Sequence, residues 1–236
     1  MKKKLLSSIV NAALNTNNSV INQALAAYDN YDNGYYEPAL KELKERADRG
    51  DAIAQYNLGS MYQIGEGVVK DAQEAVKWYL LAANQGYVFA QFNLGQIYRK
   101  GDSVPKNPQE AVKWYVLAAN QGDAVSQFNL GVMYESGRGV SKNIQEAFKW
   151  LSLAANQGDA AAQNNLGWMY ESGQCVSENK VLAYVLYILS EAKGDSNAKK
   201  NKDNLKPDLT PDQLAEAQEI SVNWQVGTPF PTETKY

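Results

Sequence analysis

Four stretches of the chain repeat one alternation of apolar and polar positions: "AQYNLGSMY" at 54–62, "AQFNLGQIY" at 90–98, "SQFNLGVMY" at 126–134 and "AQNNLGWMY" at 162–170. In the second of these, Ala90, Leu94, Ile97 and Tyr98 fall at i, i+4, i+7 and i+8, the stripe of an amphipathic helix. A second stripe follows at Ala111, Trp114, Tyr115 and Ala118, so each unit predicts two helices. The register is constant. Gly59, Gly95, Gly131 and Gly167 stand 36 residues apart, as do Ala75, Ala111, Ala147 and Ala183. Trp78, Trp114 and Trp150 keep the same spacing, with Leu186 in the fourth place.

Helix ends are written into the same period. Asp71 with Glu74, Asn107 with Glu110 and Asn143 with Glu146 pair an N-cap acceptor with a Glu three residues on. Pro108 takes a first helical position, where its missing N–H does no harm. Gly86, Gly122, Gly158 and Gly194 follow the second helices as C′ residues, and Asp123, Asp159 and Asp195 can cap the helices that come next. The glycine inside each first helix costs about 1 kcal/mol against alanine. A close approach by the second helix is the expected reason. One hairpin cannot bury both its faces, whereas stacked hairpins can. The predicted fold is therefore all-α, a right-handed solenoid of helical hairpins with 36-residue repeats. The constant Trp, Tyr, Leu and Ala are its expected packing between repeats.

The pattern "AQFNLGQIYRKGDSVPKNPQEAVKWYVLAANQG" resembles the Sel-one-like repeat, a relative of the tetratricopeptide repeat. The resemblance is carried in order by A-Q-x-N-L-G, G-x-G-V, E-A-x-K-W and A-A-x-Q-G. It divides the chain into a leader at 1–22, a tetratricopeptide-like unit at 23–50 and four repeats at 51–86, 87–122, 123–158 and 159–194. Capping helices at 195–224 follow, with Thr210, Pro211 and Gln213 as a cap, and then a tail at 225–236 that its two prolines leave extended or loose. In the G-x-G-V loops, Ser103 and Cys175 replace the second glycine. Both residues tolerate a positive φ poorly, so those two loops are expected to differ in backbone.

Composition narrows the chemistry. Lys and Arg (23) are outnumbered by Asp and Glu (26), which argues against nucleic acid as a partner. No apolar run approaches the roughly 20 residues of a membrane span. There is one cysteine and no histidine, so no multi-thiolate metal site and no histidine base can be built. No metal or cofactor is expected. The leader "MKKKLLSSIVNAAL" begins like a secretory signal, with Ala24, Leu25 and Ala26 as a small-residue stretch beyond it. As a signal peptide it implies a periplasmic or secreted protein; if it is not one, the protein is cytoplasmic.

Catalytic signals are thin. Ser103–Lys106 and Ser177–Lys180 both spell S-x-x-K, and some disulfide-bridged relatives within the resemblance are linked to β-lactams. The S-D-N and K-T-G partners of that motif are absent, and both copies fall in loops. The G-x-G-V loops lack the strand and the G-K-[ST] of a phosphate cradle. The chain is not expected to be an enzyme.

A ladder of Asn57, Asn93, Asn129 and Asn165 has two readings: amides that join hairpins, or a ligand-facing row on the first helices, which line the concave face in such solenoids. Beyond it, Ser60, Gln96, Val132 and Trp168, then Gln63, Arg99, Glu135 and Glu171, change chemistry from repeat to repeat. Gln96, Arg99, Glu135, Trp168 and Glu171 are the candidate partner-binding residues, with Trp168 and Arg99 as anchors. The expected function is a scaffold or adaptor binding a peptide or protein segment on the concave face. The alternatives are an exported hydrolase or binder of cell-wall or β-lactam compounds, and an assembly protein with no dedicated ligand.

Overall fold

A computed structural model describes residues 36–102, 104–231 and 234–235. The leader, residues 23–35 of the tetratricopeptide-like unit and Ser103 lie outside the described residues. Those described contain helices and no strand, and they divide into two compact units, one ending at Gln85 and one beginning at Gly86.

The first unit holds α1 (Tyr36–Asp48), α2 (Ala52–Ile64) and α3 (Ala72–Asn84). Asp51 caps α2 by accepting from the amides of Ile53 and Ala54, while Arg46 grips its carboxylate at 2.6 Å. Asp71 caps α3 through Gln73 and Glu74. Trp78 is buried against Ala47, Ala54 and Leu58, so α3 seals onto both helices before it.

The second unit holds α4 (Val88–Lys100), α5 (Pro108–Asn120), α6 (Ala124–Ser136), α7 (Ile144–Asn156), α8 (Ala160–Glu171), α9 (Lys180–Ala192), α10 (Ser196–Leu205), a 3-10 turn (Lys206–Asp208) and α11 (Pro211–Asn223). Helices α4 and α5, α6 and α7, and α8 and α9 are hairpins stacked in chain order, a solenoid. Asn107, Asn143 and Asn179 cap the second helices, and Asp123, Asp159 and Asp195 cap α6, α8 and α10. Thr210 and Gln213 complete a reciprocal capping box on α11.

The glycine of each first helix is there for contact. A Cβ on Gly59 or Gly95 would lie 2.8 or 2.7 Å from the ring of Tyr79 or Tyr115. On Gly131 it would lie 2.7 Å from Leu151 Cγ, and on Gly167 2.8 Å from Tyr187. No side chain fits there.

The expected tryptophan stripe needs a correction. Trp78 and Trp150 are buried but Trp114 is only half-buried, and the residues sealed inside each hairpin are Tyr79, Tyr115, Leu151 and Tyr187. The residue after the Trp, one step of about 100° round the helix, faces the bare glycine.

The fourth repeat departs for a visible reason. Glu-x-x-Lys-Trp in the first three repeats lays an ion pair along the outer surface of the second helix, Glu74 with Lys77, Glu110 with Lys113 and Glu146 with Lys149. In α9 the same positions are Leu182, Val185 and Leu186, all buried in one core with Leu209 and Ala217. A surface that meets water elsewhere meets the closing elements here.

The G-x-G-V expectation is corrected at Cys175, Ser103 lying outside the described residues. Cys175 keeps the left-handed backbone (φ 74°) that Gly67 (70°) and Gly139 (76°) adopt, so the loop keeps its shape and the cysteine carries the strain. Among its described residues the tail turns at Gln225–Thr228, where Thr228 donates to the Gln225 carbonyl at 3.0 Å, and it is packed rather than loose. Phe230 is buried and stacks on Trp224 at 4.7 Å, Gly227 donates to the carbonyl of Asn156, and Phe230 donates to its side chain. Apolar contact and backbone bonds hold it without any helix.

Candidate functional site

Two polar ladders run along the first helices, and they do different work. The asparagines are half-buried: Asn57 on α2, Asn93 on α4, Asn129 on α6 and Asn165 on α8. Asn129 donates to Val125 of its own helix at 2.7 Å, so it joins no neighbouring hairpin.

The joining is done by the glutamine two residues earlier. Gln55, Gln91, Gln127 and Gln163 are all buried. Gln55 donates to the Ala47 carbonyl at 3.0 Å, Gln127 to Ala119 at 3.1 Å and Gln163 to Ala155 at 3.2 Å, each reaching the helix that precedes it. Gln55, Gln91 and Gln127 also accept from Gln85, Gln121 and Gln157 at 2.7, 2.7 and 2.8 Å. A buried amide that satisfies both its donor and its acceptor ties a helix to the elements on either side. In the fourth repeat Lys193 stands where the second glutamine would be. It donates to Gly158 instead, and Gln163 Oε1 is buried without a partner. Sequence reasoning passed over this ladder, although both glutamines recur at the 36-residue period.

The variable row one turn further on is partly committed to folding. Gln63 accepts from the Tyr79 hydroxyl at 2.7 Å, and Glu171 accepts from the Tyr187 hydroxyl at 2.6 Å. Arg99 Nε donates to the Tyr115 oxygen at 3.2 Å. Burial, then the bond and charge of Glu171, push the Tyr187 hydroxyl well above its usual pKa. Burial raises Tyr115 as well, against the bond and charge of Arg99. Arg99 therefore spends its Nε on the hairpin interior.

Glu135 breaks the series. The residue facing its row position is Leu151, which has no hydroxyl, and the half-buried Glu135 carboxylate has no hydrogen-bond or ion-pair partner. Gln96 on α4 is half-buried, and Trp168 on α8 is 45% exposed, three residues before Glu171 on the same helix. Residues three apart on a helix are neighbours, so Trp168 and Glu171 share one surface patch. Glu135 occupies the position of Glu171 one repeat earlier.

Elsewhere, Ser177 is exposed in the loop between α8 and α9, and the Lys180 ammonium is held by Asp208 at 3.0 Å. Among the described residues no group of three or more Cys, Asp or Glu is placed to hold a metal, and no helix is long and apolar enough to cross a membrane.

The sequence model of the Sel1 repeat matches residues 52–87, 88–123, 124–159 and 160–195. Among solved structures, a Sel1 repeat protein from Oxalobacter formigenes is 35% identical, with 86% of this chain and 85% of that one covered and a TM-score of 0.73. The protein c5321, described as a protective antigen present in uropathogenic Escherichia coli strains and displaying an SLR fold, is 34% identical with a TM-score of 0.71. That match covers 79% of this chain but only 40% of the other. No curated protein sequence matches. Proteins built from these repeats are generally protein–protein interaction scaffolds, typically without catalysis. With four tandem matches in register over stacked hairpins, this chain belongs to the Sel1 repeat family.

Proposed function

We propose that the first-helix face of the second unit binds an extended segment of a partner protein, with Trp168, Glu171 and Glu135 at the centre of the contact and Gln96 and Arg99 flanking it. The observation that carries this reading is Glu135. In the other three repeats the polar residue of that row is used to satisfy or contact a buried tyrosine hydroxyl. In the third repeat the hydroxyl is gone, yet a carboxylate stays, half-buried and unpaired. A half-buried charge with no internal role loses hydration for nothing in the free chain. A basic side chain of a partner would restore what it loses, and the exposed indole of Trp168 offers both contact area and a cation–π face beside it. Such solenoids bind along the face presented by successive repeats.

The test uses a partner captured from native extract and then purified. Glu135→Gln and Trp168→Ala should each weaken it by about 1 to 4 kcal/mol, the range of hot-spot truncations, with thermal melting unchanged. Normal binding by both variants overturns the reading.

A further inference from the structure

The same seven residues, LAANQGD, close the second helix of two successive repeats, at 117–123 after α5 and at 153–159 after α7. At α7 they carry the tail. The Asn156 carbonyl accepts from the amide of Gly227 at 2.6 Å, and its side-chain oxygen accepts from the amide of Phe230 at 3.3 Å. Val226 lies 3.4 Å from where a Cβ on Gly158 would stand. The docked piece holds its own shape. Residues 225–228 close a turn with Gly227 at φ 91°, the Trp224 indole N–H donates to the Thr228 carbonyl at 3.0 Å, and the Trp224 ring stacks on Phe230. That turn brings two amides three residues apart onto the two oxygens of one asparagine.

At α5 the same seven residues are open. The two helices end alike, with Gln121 at φ −86°, ψ 3° and Gln157 at φ −80°, ψ 0°. Asn120 is exposed, and among the described residues neither its carbonyl nor its side chain has a hydrogen-bond partner. The last carbonyls of a helix find no donor within it, so this one is left to a donor from outside. A Cβ on Gly122 would meet nothing within 4 Å. Lys193, which donates to the Gly158 carbonyl, has the shorter Gln157 as its counterpart here, and that amide is engaged by Gln127. We propose that the open end of α5 binds a partner segment of the tail's own kind, an apolar residue, a glycine turn and an aromatic. Its glycine amide donates to the Asn120 carbonyl, and the amide three residues on donates to the Asn120 side-chain oxygen. The chain's own tail is held at Asn156, so the occupant is another molecule. A segment preset as a turn has little freedom left to lose on binding. Within the chain, Trp224 and Phe230 also rest on the core of the closing helices, so docking at α5 is the weaker of the two. The site lies at the end of a second helix and is independent of the first-helix face.

The test is a titration of the whole chain with a synthetic peptide of residues 224–231, WQVGTPFP, blocked at both ends. It is followed by the NMR signals of the Asn120 side-chain amide and the Gly122 backbone amide, which should shift together and saturate. The same peptide carrying Gly227→Ala should bind more weakly, because its turn needs a positive φ, whereas unspecific apolar adhesion would not tell the two peptides apart. Asn120→Ala in the chain should weaken binding about fivefold, the worth of one hydrogen bond, read at Gly122. The melting temperature should stay where it was, since that exposed side chain bonds nothing in the free chain. A Gly122 signal that does not move at the highest peptide concentration, whatever happens at Gly158, overturns the proposal. Equal affinity for the glycine and alanine peptides overturns it as well, and so does undiminished binding by Asn120→Ala.

Discussion

Gln127 and Asn129 stand two residues apart on α6, and the structure gives them opposite weights. Gln127 is 4% exposed and bridges two helices, donating to Ala119 and accepting from Gln157. Replacing it with alanine removes two hydrogen bonds, each worth about 1 kcal/mol net. It also leaves a small cavity where a methylene and an amide were packed, adding about 1 kcal/mol. Alanine returns a few tenths of a kcal/mol as the better helix former, so the expected loss is roughly 2.5 kcal/mol. For a chain of this size that corresponds to a fall in melting temperature of roughly 5 to 10 °C. Asn129 instead bonds its own helix, a contact that competes with helical geometry. Asn129→Ala should therefore change stability by less than about 0.5 kcal/mol, because the better helix propensity offsets the lost bond. Circular dichroism melts and urea midpoints of the two variants, run in parallel, decide it. A loss in Asn129→Ala equal to or larger than that in Gln127→Ala would refute the assignment of the joining role to glutamine.

Two further substitutions probe the backbone. Gly95→Ala should destabilise by about 1 to 2 kcal/mol in urea unfolding, because overpacking against the sealed Tyr115 ring outweighs the helix-propensity gain of about 1 kcal/mol; a more stable variant would mean that the ring moves aside freely. Cys175→Gly should raise the urea midpoint by an amount worth about 0.5 to 1 kcal/mol, since glycine relieves the left-handed strain but has more freedom to lose on folding. A lowered midpoint would show that the thiol makes a stabilising contact.

The fold was legible because its signals are local and repeated. Caps, C′ glycines and apolar stripes act within a few residues, and a fixed period multiplied each of them. The site was legible only in part. Whether Trp114 or Tyr115 turns inward depends on where the bare Cα of Gly95 lies in the facing helix, and an apolar stripe wide enough for both does not choose between them. The glutamine ladder acts across about 30 residues of sequence (Gln91 to Gln121), and only the stacked hairpins bring those side chains together. Asn looked equally suited because its amide has the same chemistry on a shorter arm. The variable row looked like a surface tuned to a partner, yet Gln63, Arg99 and Glu171 follow the tyrosine sixteen residues downstream. The tail offered prolines and no period, and nothing along the chain marks Asn156 or Trp224 as its dock.

The change from Glu-Lys-Trp to Leu182, Val185 and Leu186 also decides how the array can be lengthened. Repeats two and three are interchangeable modules, because each presents an ion pair outward and accepts a like neighbour. Repeat four is not, since its second helix is dry on the side where theirs is wet. An extra copy spliced between the second and third repeats would find compatible seams on both sides, whereas a copy appended after the fourth would strip the cover from Leu182 and Val185, which stand where the other repeats carry their ion pair. This protein is extensible from its middle and closed at its far end, and a design that varies its reach should cut there.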